Sequence, residues 1–161
     1  MRKLINLSAI SITVLFTLLL AVVLLTACGS SSNGKASFES KNGIQFSNIP
    51  LKQVIAQKES KPIFLFAHAG YCSSCKEMIK TVLPEKKVGD IFNTHFINAQ
   101  VDIESEEGKE LVRDFEITGT PTLLFLTPDG KLMNKVIGFQ SKEELIALSK
   151  SLFFNGKPVA E

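Results

Sequence analysis

The chain has 161 residues, which is enough for one domain of ordinary size with an appendage but not for two domains with separate cores. Its residues are 45% hydrophobic and 21% charged, a composition that excludes a disordered protein. The formal net charge of +2 belongs to Arg2 and Lys3. The rest of the chain has 16 basic and 16 acidic residues, so its formal net charge is zero. A neutral chain of this kind gives no support for nucleic-acid binding.

The N-terminal segment differs in composition from everything after it. Residues 4–27 contain no charged side chain and are rich in Leu, Ile and Val, so their length alone would allow them to span a bilayer. The segment ends in Leu25-Thr26-Ala27-Cys28. This ending resembles the bacterial lipobox, in which the chain is cut before the cysteine and lipid is attached to that cysteine. A basic start, an apolar stretch and a small residue before the cut are typical of a signal peptide.

We therefore expect residues 1–27 to be a lipoprotein signal peptide, residues 28–43 a lipid-anchored flexible linker and residues 44–161 the folded domain. The alternative is an uncut transmembrane anchor over residues 1–27. In both cases the domain faces outside the cytoplasm, in the cell envelope, because basic residues before an apolar segment favour a cytoplasmic N-terminus. The sequence leaves open which of the two membranes, inner or outer, holds the anchor. If Cys28 carries lipid, Cys72 and Cys75 remain as a pair.

Apolar spacing after the linker predicts an alternation of strands and helices. The predicted strands are residues 44–46, 63–67, 97–103, 122–127 and 131–137. The predicted helices are residues 51–58, residues 72–83 with a further turn or two at 88–92, residues 106–115, and residues 141–152, which begin with a capping box. The order is β-α-β-α-β-α-β-β-α, an α/β fold with a central mixed sheet flanked by helices. The alternation predicts parallel pairing, whereas Pro128-Asp129-Gly130 predicts an antiparallel hairpin at the end.

Cys72 and Cys75 form a Cys-x-x-Cys pair whose position indicates chemistry. The pair follows a strand expected to be buried on both faces, and it opens the next helix. Unpaired backbone N–H groups and the helix dipole stabilise a thiolate there, and Lys76 adds to this effect. A helix N-terminus lowers the pKa of a thiol from about 8.5 into the ~3.5–7.5 range. We therefore predict that Cys72 is the nucleophile of a redox pair and that Cys75, one turn later and more buried, is the resolving thiol.

Three other interpretations of the pair compete with a redox role. A structural disulfide would form in an oxidising compartment, although a bridge that closes so short a loop stabilises the fold little. A zinc site needs about four ligands, and only His68 and His95 are available to complete it. Haem attachment requires a histidine directly after the second cysteine, where this chain has Lys76. A redox role is favoured, and the structural and metal interpretations stay open.

The residues around the pair resemble the thioredoxin family. Residues 64–78 match the strand, active-site loop and helix of that family, and Gly119-Thr120-Pro121-Thr122 matches its second hallmark, a cis-proline loop that faces the cysteines. Within the family the sequence is most similar to the periplasmic thioredoxin-like domain of the transmembrane protein-disulfide reductase. The Cys-x-x-Cys-Lys-Glu and Thr-Pro-Thr-Leu-Leu-Phe stretches carry that similarity. The resemblance covers about residues 44–154 and implies a thioredoxin fold.

The resemblance also implies how a substrate is held, and it exposes two departures from the family. A cis peptide bond before Pro121 would leave the Thr120 backbone free to pair with an extended substrate strand near the cysteines. Tyr71 stands where the family usually has Trp, so the aromatic platform is kept. Many thioredoxins bury a carboxylate six residues before the first cysteine, where this chain has Phe66. Glu77 and His68 are the candidates for the proton transfer that the carboxylate would serve.

Together these features predict a lipid-anchored, envelope-facing thiol–disulfide oxidoreductase that acts as a monomer and needs no cofactor or metal. Its expected partners are disulfide-containing envelope proteins and a membrane thiol-transfer donor that reduces the cysteine pair again. Similarity to a reductase favours reduction of the partner, although thioredoxin-like proteins range from reductants to oxidants. The alternatives from other classes are a redox-silent binding module of the same fold and a metal-delivery protein.

Overall fold

The computed structural model describes residues 42–47, 49–57 and 59–154, with the side chains of residues 153 and 154 excepted. All of them belong to one unit, Ser37–Glu161. The predicted signal peptide and Cys28 lie outside the described residues. The helices are α1 (Leu51–Ala56), α2 (Ser73–Thr81), α3 (Lys86–His95), α4 (Glu106–Asp114) and α5 (Lys142–Phe154). The strands are β1 (Ile63–His68), β2 (Ile97–Asp102), β3 (Thr122–Leu126) and β4 (Leu132–Ile137).

The four strands form one mixed sheet in the order β2-β1-β3-β4. β1 pairs in parallel with β2, from Ile63 opposite Ile97 to His68 opposite Asp102. β3 is antiparallel to both β1 and β4. The interior position of β1 explains its sequence, since an unbroken apolar run suits a strand that is covered on both faces. The predicted mixed sheet flanked by helices is confirmed.

Alternate residues of β1 point into two separate apolar cores. Phe64 and Phe66 pack on one face with residues of α2, α3 and α5. Ile63, Leu65 and Ala67 pack on the other face with residues of α1 and α4. The period-two alternation of side chains along a strand produces this division. The first of the two cores contains both cysteines of the pair.

The predicted strand at residues 44–46 does not form. In this region the structure has a single β-bridge, between Ser47 and Ala99. The backbone before it is bound to helices instead: the Ile44 N–H donates to the Leu83 carbonyl at 2.8 Å, and the Gln45 N–H donates to the Asn93 side chain at 2.9 Å. These bonds compete with a strand ladder, and they anchor the start of the domain against the ends of α2 and α3.

The prediction that strand–helix alternation makes the pairing parallel is wrong for β3. Thr122, the first residue of β3, lies opposite Ala67 near the carboxyl end of β1. After α4 the segment of residues 115–121 therefore returns the chain to the edge of the sheet at which β2 ends. This return places Pro121 at the same edge as Cys72. Among the described residues no helix combines the length and the hydropathy needed to cross a membrane.

Candidate active site

Cys72 and Cys75 are joined by a disulfide at the N-terminus of α2, with their Cα atoms 5.2 Å apart. Cys72 is the N-cap residue of this helix, as the sequence predicts. Its Sγ accepts a hydrogen bond from the Cys75 N–H at 3.0 Å and lies 3.5 Å from the Ser74 hydroxyl. An N–H group of the first helical turn, which has no partner within the helix, is thus directed at the sulfur of Cys72.

The two cysteines differ in exposure in the way the sequence predicts. Cys72 retains 7% of its accessible surface and Cys75 retains 1%. Both belong to the apolar cluster that includes Phe66, Ala69 and Met78. The disulfide is therefore more accessible at Cys72, while Cys75 is shielded from water.

The proline loop lies at the same edge of the sheet and is held by two hydrogen bonds. The Thr120–Pro121 peptide bond is cis, as the family resemblance implies. The Thr122 hydroxyl donates to the Gly119 carbonyl at 2.6 Å, and the Gly138 N–H donates to the Pro121 carbonyl at 2.7 Å. Within the part of the chain that the structure describes, the Thr120 backbone makes no backbone hydrogen bond. Its polar groups are thus open to an added strand.

Three large apolar side chains near this edge are exposed. Tyr71, directly before the disulfide, is 70% exposed, Ile137 is 47% exposed and Phe139 is 38% exposed. Ile137 lies opposite Thr122 in the β3–β4 pairing, and its Cγ2 atom would be 3.4 Å from a methyl group at Gly119. An apolar rim therefore borders the cysteine loop and the proline loop.

The two residues considered for proton transfer occupy different environments. The position at which many thioredoxins bury a carboxylate is occupied by Phe66, which is fully buried. No carboxylate therefore reaches the cysteines from that position. His68 is half-buried at the end of β1, with its ring 5.6 Å from that of Phe66. Glu77 is exposed on α2. The two candidates thus differ in burial: His68 is half-buried at the edge of the sheet that carries the disulfide, whereas Glu77 is exposed to water.

The histidines that the zinc interpretation requires are not brought together. His68 ends β1 at the edge of the sheet that carries the disulfide. His95 ends α3, just before β2 begins at the opposite edge, and it is exposed. Among residues 42–47, 49–57 and 59–154 no group of three or more His, Cys, Asp or Glu side chains is arranged to hold a metal ion.

Asp102 is a residue at this edge that the sequence analysis does not single out. It is half-buried and lies directly opposite His68 in the parallel β1–β2 pairing. The one signal in the sequence is a carboxylate inside the alternating stretch of residues 97–103. The pairing of that stretch with β1 depends on the sheet order, which the sequence does not reveal.

Among the described residues, the carboxyl groups with lowered pKa values lie in exposed ion pairs or in a helix cap, and none lies in the cysteine loop. A hydrogen bond from the Lys109 ammonium holds the pKa of Glu106 below its ordinary value. In the β3–β4 turn, Lys131 lowers the pKa of Asp129 in the same way. Water screens pairs of this kind strongly, and we assign them no part in the chemistry of the disulfide.

Comparison with known proteins identifies a family and a relative in sequence. The model of the thioredoxin-like domain family matches residues 49–152. The thiol:disulfide interchange protein DsbD of Yersinia pestis is 31% identical over 139 residues, which are 80% of this chain and 23% of that protein. The chain thus spans less than a quarter of that relative.

Two solved structures are similar to this chain in fold. A thioredoxin from Thermus thermophilus has a TM-score of 0.61 at 24% identity, and the match covers 70% of this chain and 90% of that one. The reduced C-terminal domain of DsbD from Neisseria meningitidis has a TM-score of 0.53 at 23% identity, with 63% and 92% covered.

Proposed function

Because the chain belongs to the thioredoxin-like family, we propose that it is a thiol–disulfide oxidoreductase whose reactive group is the Cys72–Cys75 pair. The observation that carries the proposal is the placement of the disulfide. It caps a helix directly after a buried strand, at the edge of the sheet that also holds the cis-proline loop. The similarity to DsbD, which is named a thiol:disulfide interchange protein, supports the same activity.

In the reduced chain Cys72 is the nucleophile. The helix dipole and the Cys75 N–H, which is directed at the Cys72 sulfur, stabilise the thiolate. The thiolate attacks one sulfur of a partner disulfide, a mixed disulfide forms, and the other partner sulfur leaves as a thiolate. Cys75 then loses its proton and attacks Cys72. The partner leaves with both of its cysteines reduced. Cys72 and Cys75 have lost the two electrons that the partner gained, and they are joined in a disulfide.

The exposed groups around the disulfide bind the partner. The Thr120 backbone pairs with an extended segment of the partner, and Pro121 and Tyr71 contact that segment on either side of the sulfur. Support comes from the absence of backbone hydrogen bonds at Thr120 among the described residues and from the exposure of Tyr71.

The direction and setting of the reaction complete the proposal. The chain reduces disulfides in envelope proteins, and a membrane thiol-transfer protein reduces the cysteine pair again. Lipid at Cys28 holds the domain on the membrane, outside the cytoplasm. Incorporation of labelled fatty acid into the wild-type chain and its loss in Cys28→Ser would support the anchor. Equal labelling of the two chains would contradict it.

The activity is tested by turnover of a disulfide-bonded protein such as insulin, with dithiothreitol as donor and the full chain in detergent. Wild type should accelerate reduction, and Cys72→Ser should return the rate to that of dithiothreitol alone. Cys28→Ser removes a cysteine outside the pair and should retain the wild-type rate. Equal rates in wild type and Cys72→Ser would overturn the proposal.

A redox-silent binding module is the second candidate, and the 7% exposure of Cys72 is the observation in its favour. The two functions predict different thiol reactivity. A redox-active Cys72 reacts with iodoacetamide at neutral pH much faster than an ordinary exposed thiol, because the thiolate is the reacting form. A binding module would show a rate no higher than that of the ordinary thiol.

A further inference from the structure

The resolving step requires an acceptor for the proton of Cys75, and water is poorly placed to be that acceptor. Cys75 is 1% exposed and lies among apolar side chains. A buried thiol is held in its neutral form by desolvation, so its attack on Cys72 depends on a base within the protein. Phe66 occupies the position from which a carboxylate would serve, and its ring cannot accept a proton.

His68 is a titratable group that the sheet brings to this side of the fold. It follows Phe66 by two residues on the same strand, so both side chains leave the same face of the sheet. Their ring centroids are 5.6 Å apart. Phe66 packs in the cluster that contains Cys72 and Cys75, and His68 continues that face toward the cysteine loop.

Asp102 faces His68 from the neighbouring strand. The two residues are direct partners in the parallel β1–β2 pairing, and both are half-buried. Neighbouring strands lie about 4.8 Å apart, so paired side chains on one face are in contact range. A carboxylate next to an imidazole fixes its orientation and stabilises the imidazolium that forms when it takes a proton.

The other charged groups near the cysteines are less suited. On α2, Lys76 and Glu77 are exposed. After β2, Glu104 is also exposed to water, and its Oε2 atom would lie 4.0 Å from a methyl group at Gly70. On β3, the Thr122 hydroxyl donates to a carbonyl and is not titratable in water.

We propose that His68 accepts the proton of the Cys75 thiol in the resolving step and that Asp102 is the positioning residue of His68. This inference rests on the proposed oxidoreductase function. As the Cys75 sulfur attacks Cys72 in the mixed disulfide, its proton passes to the imidazole. The Cys72–partner S–S bond breaks, and the partner thiolate takes up the proton from the imidazolium. His68 ends neutral and is ready for the next cycle.

The proposal predicts a particular dependence on pH. An ordinary imidazole has a pKa of about 6.5 and accepts a proton only above it. The rate of resolution should therefore rise through this region and level off. Without the imidazole the rate should follow the thiolate fraction of Cys75 and rise about tenfold per pH unit across the same region, with no plateau.

The experiment mixes the reduced full chain in detergent with excess glutathione disulfide, quenches with acid and measures the mixed disulfide by mass. His68→Gln should slow resolution at neutral pH by on the order of 100-fold, and the mixed disulfide should accumulate. Asp102→Asn should slow the same step by a smaller factor. His95→Gln, which removes an exposed histidine at the opposite edge, is the matched control and should resolve as wild type does.

The formation step separates a role in proton transfer from damage to the fold. In a Cys75→Ala background, the chain that also carries His68→Gln should form the mixed disulfide at a rate within about threefold of that of Cys75→Ala alone. The reason is that Cys72 is still the N-cap residue of α2, so the helix dipole still stabilises its thiolate. Equal slowing of formation and resolution, or an unchanged resolution rate and pH profile in His68→Gln, would overturn the inference. If the Cys75→Ala chain forms no mixed disulfide at all, the proposed oxidoreductase function itself is wrong.

Discussion

Gly108 shows how a single residue positions the candidate site. It lies in the first turn of α4, where a methyl group would overlap the carbonyl of Asp102 at the end of β2. Gly108→Ala must therefore displace backbone, and we expect unfolding in denaturant to require about 1–3 kcal/mol less free energy. Gly70→Ala is the control, because the nearest atom to its methyl group is 4.0 Å away. A Gly108→Ala chain as stable as wild type would contradict this close approach.

The residues of the site differ in how far the sequence reveals them. The spacing of Cys72 and Cys75 after an apolar run predicts their place at a helix start, because that signal is local. Asp102 is not predictable in the same way. Its place opposite His68 depends on the pairing of β2 with β1, between residues 34 positions apart in the chain. The roles of these side chains in catalysis stay predictions.

At the scale of the element, the capping box at the start of α5 stabilises this helix. The Ser141 N–H donates to the Glu144 carboxylate at 2.8 Å, and the Ser141 hydroxyl accepts from the Glu144 N–H at 3.3 Å. Ser141→Ala should lower the free energy of unfolding by about 0.5–2 kcal/mol at neutral pH. Chemical denaturation of the full chain measures this change, and an unchanged midpoint would contradict the capping role.

Glu144 carries the pH-dependent part of the same cap. The hydrogen bond from the Ser141 N–H, and then that from its hydroxyl, holds the pKa of Glu144 below its ordinary value. The stabilisation is therefore complete above the ordinary carboxyl pKa and is lost as the pH falls through the lower, folded value. The Tm difference between wild type and Glu144→Gln should shrink from neutral pH to about pH 3. Glu143→Gln, whose carboxylate instead lies near Lys142, should show little difference at either pH.

Elements with a local signal are the ones that the sequence predicts. The helix at Cys72, the hairpin at residues 128–130 and the cap at Ser141 each depend on residues a few positions apart. Residues 44–46 have strand composition but form no strand, because Leu83 and Asn93, about 40 to 50 positions later, bind their backbone. The strand β3 is predicted, but its antiparallel direction relative to β1 is not, since nothing local indicates that the chain returns after α4.

At the scale of the whole molecule, the rings of Phe64, Phe92 and Phe96 pack α3 against the sheet, in the same apolar core that contains the two cysteines. Phe92 is fully buried, and its ring centroid lies 4.7 Å from that of Phe64 and 5.1 Å from that of Phe96. Phe92→Ala should cost about 3–5 kcal/mol of the free energy of unfolding, because it removes this packing and leaves a cavity. Leu132→Ala, at a side chain that is 44% exposed, should cost far less. Similar losses for the two variants in urea titrations would contradict this description of the core.

The central claim is that the Cys72 sulfur forms a covalent bond with the sulfur of another protein. Its most direct test mixes the reduced Cys75→Ala chain with a disulfide-bonded protein and identifies the product by mass and by peptide mapping. We predict a one-to-one covalent complex that is linked through Cys72, is released by dithiothreitol and is absent when Cys72→Ser is added. The failure of any complex to form, or a linkage through Cys28 in its place, would contradict the account.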